Sequence, residues 1–113
     1  MIDTPFTGWH AHVYFDPEDE AKARALCETA RDRFGVEMGR VHTAPIGPHP
    51  RGSCQLAVPP EIFGDVIAWL IANRSGLTVF AHGESDNAYA DHTAHVLWLG
   101  SSETLDLSIF DRE

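Results

Sequence analysis

The stretch 9–15, Trp-His-Ala-His-Val-Tyr-Phe, constrains the fold most strongly, because polar and apolar side chains alternate along it. Successive side chains of a β-strand point to opposite faces, so this alternation predicts a strand with one apolar and one polar face. The apolar face carries Ala11, Val13 and Phe15, and the polar face carries His10, His12 and Tyr14. The two imidazoles would stand about 7 Å apart at their Cα atoms, which allows both to bind one divalent transition metal. The other interpretation is the outer side of a half-exposed sheet, where histidines have no special role.

Chain length and composition predict a single domain over residues 1–113. With 43% hydrophobic and 22% charged residues, the chain can bury a core without disulfide or metal staples. No apolar run approaches the ~20 residues that span a bilayer, and the first residues lack the features of a signal peptide. We therefore expect no membrane partner and a cytoplasmic location. The formal charge of -9 argues against nucleic acid as a partner.

The remaining chain reads as alternating strands and helices. Apolar alternation and turn signals predict further strands over residues 36–42, 54–58, 77–82, 94–99 and 105–110. A first helix is predicted from the Asp16 cap to a stop at Gly35, and a second from the Pro59-Pro60 pair to residues 73–76. The proline-rich stretch 42–52 and the polar stretch 83–91 are predicted loops.

This order of elements predicts an α+β fold of the ferredoxin-like type. Its βαββαβ core places two helices on one face of an antiparallel sheet, and the last two strands would form an appended C-terminal hairpin. In this topology the fourth strand lies beside the first, so His82 is expected near His10. His95 would join them if the fifth strand pairs with the fourth. Four histidines from three segments would then share the face without helices.

Three segments give the chain a likeness to a known family. His-Ala-His-Val-Tyr-Phe at 10–15, Pro-Ile-Gly-Pro-His-Pro at 45–50 and Asp-His-Thr-Ala-His-Val-Leu-Trp-Leu-Gly at 91–100 occur in this order. Together they resemble the DOPA 4,5-dioxygenase family, over residues 9 to about 100. The resemblance implies a non-haem Fe(II) enzyme that opens a small catechol such as DOPA beside its two hydroxyls and inserts both atoms of O₂.

The resemblance also implies which residues form the site. Its histidines, together with His82, are carried over as the metal ligands His10, His12, His82 and His95 and the proton-transferring residues His49 and His92. Imidazoles suit proton transfer because their ordinary pKa lies near neutral pH. Tyr14 and Arg51 are the candidates for substrate binding, although a packed aromatic and a solvated charge are the ordinary alternatives. Zinc or nickel could replace iron as purified, because nitrogen sites bind them more tightly.

The predicted ligands differ from those of common non-haem iron sites, because they include no carboxylate. Non-haem Fe(II) oxygenases usually combine two histidines with one carboxylate. Only the loop residues Glu84, Asp86 and Asp91 lie near the predicted histidine strands, so either one of them completes the site or the site uses imidazole alone.

An uncovered sheet face also predicts a homodimer, because a broad exposed apolar surface is a liability. The dimer would stack the faces that carry His82 and His95. The alternative to an enzyme is a non-catalytic dimeric module that binds a metal or a small aromatic ligand on the same scaffold.

Overall fold

One antiparallel sheet of five strands carries the fold. The computed structural model describes residues 3–110. The strands are β1 (Gly8–Phe15), β2 (Glu37–His42), β3 (Gly52–Val58), β4 (Thr78–Glu84) and β5 (Val96–Leu99), and the helices are α1 (Glu20–Phe34), α2 (Phe63–Asn73) and the short α3 (Ala88–Asp91). The strand order β2-β3-β1-β4-β5 is the ferredoxin-like order with β5 added beside β4, which confirms the predicted fold class.

The two long helices begin and end where their local sequences favour it. Each follows a 3₁₀ turn that opens on a proline, Pro17–Asp19 before α1 and Pro60–Ile62 before α2. Proline fits there because a first-turn amide has no partner to lose. Helix α1 ends at Gly35, whose φ of 71° is the left-handed conformation that glycine adopts without strain. The predicted stop at this residue is confirmed.

The hydrophobic core lies between these helices and one face of the sheet. The three apolar residues of β1 belong to it, as the alternation predicts. They pack with buried side chains of both helices, such as Leu26 of α1 and Leu70 of α2. At the edge of this layer the ring of Trp9 stacks on Phe63 at 4.1 Å between ring centres. The face of β1 that carries the histidines therefore points away from the helices.

The predicted C-terminal hairpin is wrong. Residues 105–110 contain a 3₁₀ turn at Leu107–Ile109 instead of a strand. The carboxylate of Asp106 accepts hydrogen bonds from the amide and hydroxyl of Ser108, at 3.1 and 2.6 Å, and this local turn competes with strand pairing. The predicted loop 83–91 is also corrected, because β4 continues through Glu84 and a helix follows at Ala88–Asp91.

The sheet face that carries His10, His12 and His82, here called the histidine face, is covered by other parts of the chain. The expectation of an open surface is therefore wrong. Two segments lie over the histidine face: the proline loop (residues 43–51) and the C-terminal segment (residues 100–110). The amide of Asp106 donates to the carbonyl of Pro48 at 2.9 Å and joins the two. Beneath them Tyr14 and Phe80 are fully buried within one chain.

Candidate metal and active site

Cross-strand register brings three histidines together at the centre of the sheet. His10 of β1 lies directly opposite His82 of β4, as the predicted topology requires, and His12 lies opposite Phe80. Facing residues on neighbouring antiparallel strands bring their side chains into contact. His12 and His82 are almost completely buried, with 4% and 1% of their surfaces exposed, whereas His10 is half-buried.

These three side chains, which we call the histidine cluster, have the spacing of a metal site. One ring nitrogen from each lies within 4.8 Å of the others. The Nε2 atoms of His12 and His82 are 3.2 Å apart. Two nitrogens bound at 2.0–2.1 Å to one ion are about 3.0 Å apart in an octahedron and about 3.4 Å apart in a tetrahedron. The distance between the nitrogens of His12 and His82 falls within this range.

Hydrogen bonds turn the Nε2 lone pair of His82 towards Nε2 of His12, where an ion could bind. Nδ1 of His82 lies 3.2 Å from the carbonyl oxygen of Gly83 and 3.2 Å from a carboxylate oxygen of Glu84. Both neighbours are acceptors, so Nδ1 carries the proton and Nε2 does not. Metal-binding histidines are commonly oriented by such a contact to the other ring nitrogen.

Burial also keeps the histidine cluster uncharged. Desolvation lowers the pKa of His12 well below its ordinary value, and nearby histidines lower it further. Burial, then the neighbouring His92, lowers the pKa of His82 to about 4. The pKa of His10 is lowered by burial too. Neutral imidazoles offer lone pairs, so the donor set fits a divalent transition metal without competition from protons at neutral pH.

Of the three candidate carboxylates, Glu84 touches the histidine cluster. Its two oxygens lie 3.4 Å from Nε2 of His10 and 3.2 Å from Nδ1 of His82. Burial raises the pKa of this carboxyl, and the nearby Asp91 raises it further. Because Glu84 contacts Nδ1 of His82, its carboxylate is placed to orient the His82 ring.

Asp91 is buried but is directed elsewhere. Its oxygens accept hydrogen bonds from the amide and hydroxyl of Ser85, at 2.8 and 2.6 Å, and from Nδ1 of His95 at 2.9 Å. Burial alone would raise its pKa, but these hydrogen bonds outweigh burial and lower it. Asp86 is exposed on the same loop.

His95 lies on the opposite side of the sheet from the histidine cluster. Val96 pairs with His82 and Trp98 with Phe80, so these residues share the histidine face, and the residue before Val96 belongs to the other face. The His95 ring packs against Phe6 at 4.9 Å, next to the stacked Trp9. The predicted convergence of His95 with the other three histidines is therefore not observed.

The remaining two predicted histidines lie beside the histidine cluster. The His49 ring packs 4.1 Å from His12, and the His92 ring packs 4.2 Å from His82. Nδ1 of His92 donates to the carbonyl of Ala88 at 2.8 Å, which leaves Nε2 as its free nitrogen. Phe110 covers the His92 ring at 4.3 Å.

The predicted substrate-binding residues already have partners within the chain. The Tyr14 hydroxyl is 2.7 Å from Nδ1 of His49. The Arg51 guanidinium makes two hydrogen bonds to Glu103, at 3.0 and 2.7 Å, and one to Asp16 at 3.2 Å. These bonds connect the proline loop with the C-terminal segment, and they leave little of the guanidinium free for a substrate carboxylate.

Two cavities open next to the histidine cluster. A cavity of about 190 Å³ lies over β3 and is lined by His12, His42, Ile46, Gly47, Pro48, His49, Ser53 and Gln55. A groove of about 620 Å³ lies at the other end of β1 and reaches His10 and Glu84. The first cavity was not predicted, although pairing of β1 with β3 places Gln55 opposite His12 and Ser53 opposite Tyr14.

Sequence reasoning also missed two contacts made by the C-terminal segment, Glu103 with Arg51 and Phe110 with His92. Their only sequence signal was the local Asp106–Ser108 turn, which argues against the strand predicted there. Among the described residues, no helix is both long enough and apolar enough to cross a membrane.

Comparisons with known proteins show which family the chain is similar to. The chain is 32% identical over 118 residues to the DOPA 4,5-dioxygenase of Amanita muscaria, a match that covers 96% of this chain and 51% of the fungal protein. It is 34% identical over 113 residues to an uncharacterized 21.2 kDa protein of Botryotinia fuckeliana, covering 91% of this chain and 62% of that one. The chain thus spans about half to two thirds of the length of these curated relatives.

A solved structure matches over nearly its whole length. It belongs to a protein of Nostoc punctiforme PCC 73102 described as a candidate dioxygenase, with 39% identity and a TM-score of 0.80, covering 95% of this chain and 94% of that one. The model of the Dopa 4,5-dioxygenase family matches residues 9–109, which include all the histidines of the site. The chain therefore belongs to the Dopa 4,5-dioxygenase family.

Proposed function

We propose that the protein is a non-haem Fe(II)-dependent extradiol dioxygenase that opens a small catechol, such as DOPA, with O₂. The observation that carries the proposal is the group of three imidazoles, the half-buried His10 and the buried His12 and His82, with nitrogens close enough to share one ion. Imidazole nitrogens are ligands that divalent transition metals bind well. His95 is left out of the proposed ligand set because it lies on the opposite face.

The chemistry that bound Fe(II) supplies is Lewis-acid lowering of the catechol pKa and reaction with O₂. Cleavage breaks the ring carbon–carbon bond next to the two hydroxyls, and both oxygen atoms of O₂ enter the product. The buried rings around the histidine cluster, such as Phe80, exclude water from this reaction.

The cavity over β3 is the proposed place for the aromatic ring of the substrate. It lies against His12 and has polar groups at Ser53 and Gln55 that can hydrogen-bond a ring substituent. Its volume of about 190 Å³ suits a single substituted ring and excludes larger polyphenols. Ile46 and Pro48 of the proline loop provide its apolar wall.

His49 and His92 are the proposed proton carriers. They lie beside the histidine cluster, His49 at 4.1 Å from His12 and His92 at 4.2 Å from His82 between ring centres. One can accept the proton that a catechol hydroxyl loses, and the other can return a proton to the opened product. Neither needs to leave its place, because each is held by a hydrogen bond to Nδ1.

The experiment is to load the protein with Fe(II) without oxygen and then supply O₂ with DOPA, caffeate or protocatechuate. We expect a yellow ring-opened semialdehyde and one O₂ consumed per catechol. The matched control is His12→Ala, which should show neither. Absence of oxygen uptake across a broad panel of catechols contradicts the proposal.

The alternative function is a non-catalytic dimeric module that binds a metal or a small aromatic ligand. It is favoured by one observation, that the histidine cluster as found among the described residues contains no carboxylate. Retention of a metal together with no oxygen consumption on any catechol would support this alternative.

A further inference from the structure

The tyrosine next to the histidine cluster is bonded to a histidine and is closed off from substrate. Tyr14 has none of its surface exposed. Its hydroxyl contacts Nδ1 of His49 at 2.7 Å, a short distance for a hydrogen bond between an oxygen and a nitrogen. The cavity over β3 is lined by His49 and does not include Tyr14. A substrate in that cavity would therefore meet the histidine and not the tyrosine.

The direction of this hydrogen bond follows from the burial of the tyrosine hydroxyl. Among the described residues, its hydrogen-bond contact is Nδ1 of His49, so the hydroxyl proton has no other acceptor. A buried donor without an acceptor would cost free energy. The tyrosine O–H donates, and Nδ1 of His49 accepts with its lone pair. The single imidazole proton must then be on Nε2.

The surroundings hold both side chains in this arrangement. His49 stands between Pro48 and Pro50, whose rings restrict the backbone, and the Pro48 carbonyl accepts the amide of Asp106. The Arg51 guanidinium lies 5.9 Å from the centre of the Tyr14 ring and is fixed by Glu103. The C-terminal segment thus supports the pair from two points.

We propose that Tyr14 is a positioning residue, which fixes His49 as the Nε2–H tautomer and presents that N–H beside His12 as a proton donor. The consequence for catalysis rests on the proposed function, because a donor at this place matters only if a substrate is bound there. The tautomer itself does not depend on the proposed function. In water the Nε2–H form of imidazole is only one of two populated tautomers, so fixing it is an action of the protein.

Nitrogen NMR of the protein without added metal tests the tautomer directly. In the ¹⁵N-histidine-labelled protein at pH 7, we expect His49 to show a protonated Nε2 and an unprotonated Nδ1. In Tyr14→Phe, which keeps the ring and removes only the hydroxyl, Nδ1–H should become populated. The matched control Thr29→Val removes an exposed hydroxyl on α1 that bonds to Ala25 and should leave His49 unchanged.

Two outcomes overturn the proposal. One is a wild-type His49 with its proton on Nδ1, a result that needs no variant and so does not depend on whether Tyr14→Phe folds. The other is a folded Tyr14→Phe protein whose His49 keeps the Nε2–H form unaltered.

Kinetics separate positioning from substrate binding. In the Fe(II)-loaded enzyme we expect Tyr14→Phe to lower kcat about tenfold and to change KM less than twofold, since general acid–base groups contribute about 10²–10⁴-fold and the variant only misplaces one. In a His49→Gln background the same substitution should have almost no further effect, because both residues act through one proton. A raised KM with unchanged kcat would make Tyr14 a substrate-binding residue and overturn the proposal. If the wild type turns over no catechol, the proposed function fails, while the NMR result still decides the tautomer.

Discussion

At the scale of single residues, His12 is the most informative position, because its nitrogen faces that of His82 across the strand pair. We expect His12→Ala to lower metal retention at least a hundredfold, since loss of one of three imidazoles removes a coordinate bond that solvent replaces poorly. Metal content after dialysis, measured by elemental analysis, checks this.

The control for this prediction is His95→Ala. His95 is bonded to Asp91 on the other face, so this variant should retain metal like the wild type. Unchanged metal content in His12→Ala, or loss of metal in His95→Ala, would contradict the ligand assignment.

His82 predicts how the stability of the protein without added metal depends on pH. Its pKa is about 4 when folded, against an ordinary value of 6.5 when unfolded. Between these values the unfolded chain binds one more proton, so stability is complete above pH 6.5 and is lost as pH falls towards 4. From pH 7 to pH 5, this residue alone should lower the free energy of unfolding by about 2 kcal/mol.

Urea unfolding at the two pH values measures this loss. His82→Leu, which cannot be protonated, should reduce the loss by about the same amount. An equal pH dependence in wild type and variant would show that His82 is not the group responsible.

The residues also show what alternation predicts and what it leaves undetermined. Along β1 the period of two predicts the correct face for every side chain. Along β5 it correctly separates His95 from Val96, but the expectation that His95 shares the face of His82 is wrong. The residue that pairs with His82 is Val96. A strand's faces are fixed by its pairing, and the sequence of one strand does not contain its register.

At the scale of elements, two glycines offer a matched test of packing. A Cβ added at Gly52, the first residue of β3, would lie 2.7 Å from the buried ring of Phe15. Overpacking of this kind costs about 1–3 kcal/mol, so Gly52→Ala should destabilise the protein by that amount. A Cβ at Gly64 in α2 meets nothing within 4 Å, and alanine favours the helix by about 1 kcal/mol.

Gly64→Ala should therefore raise the midpoint of urea unfolding while Gly52→Ala lowers it. Equal shifts of the same sign would show that the close contact at Phe15 relaxes without cost.

The elements that were predicted correctly are those with strong end signals, such as the proline start and Gly35 stop of α1. The C-terminal segment was predicted wrongly because Leu105, Leu107 and Ile109 alternate as they would in a strand. What decides its structure is a turn at Asp106 and contacts with the proline loop 58 residues earlier, from Asp106 to Pro48. Contacts so distant in the chain are not encoded in any local pattern.

At the scale of the whole molecule, the homodimer remains a prediction, but the structure weakens the argument for it. It was argued from an open sheet face, but the proline loop and the C-terminal segment already bury Tyr14 and Phe80 in one chain. The dimer was also expected to stack faces that carry His82 and His95, but these two residues lie on opposite sides of the sheet. Sedimentation at micromolar concentration checks the prediction, and a purely monomeric species contradicts it.

The distribution of positive charge over the molecule bears on the choice of substrate. Four of the eight Lys and Arg residues are on α1, which packs on the face opposite the histidine cluster. Among the described residues that line the two cavities there is no lysine or arginine, and the larger groove carries Glu37, Glu61 and Glu84. With a formal charge of -9, the chain offers a substrate carboxylate little attraction.

We therefore expect a catechol without a carboxylate to be the better substrate. The kcat/KM for 4-ethylcatechol should exceed that for 3-(3,4-dihydroxyphenyl)propionate, a similar molecule with a negative charge, by about fivefold, or about 1 kcal/mol. The ratio should shrink at 1 M salt, where the Debye length is only about 3 Å.

Glu103→Gln should also lower the ratio of the two kcat/KM values, because this variant loosens the Arg51 guanidinium from its carboxylate partner. Asp65→Asn, an equal charge change at an exposed site on α2, is the control and should leave the ratio as it is. A preference for the carboxylate in the wild type would mean that Arg51 exchanges Glu103 for the substrate.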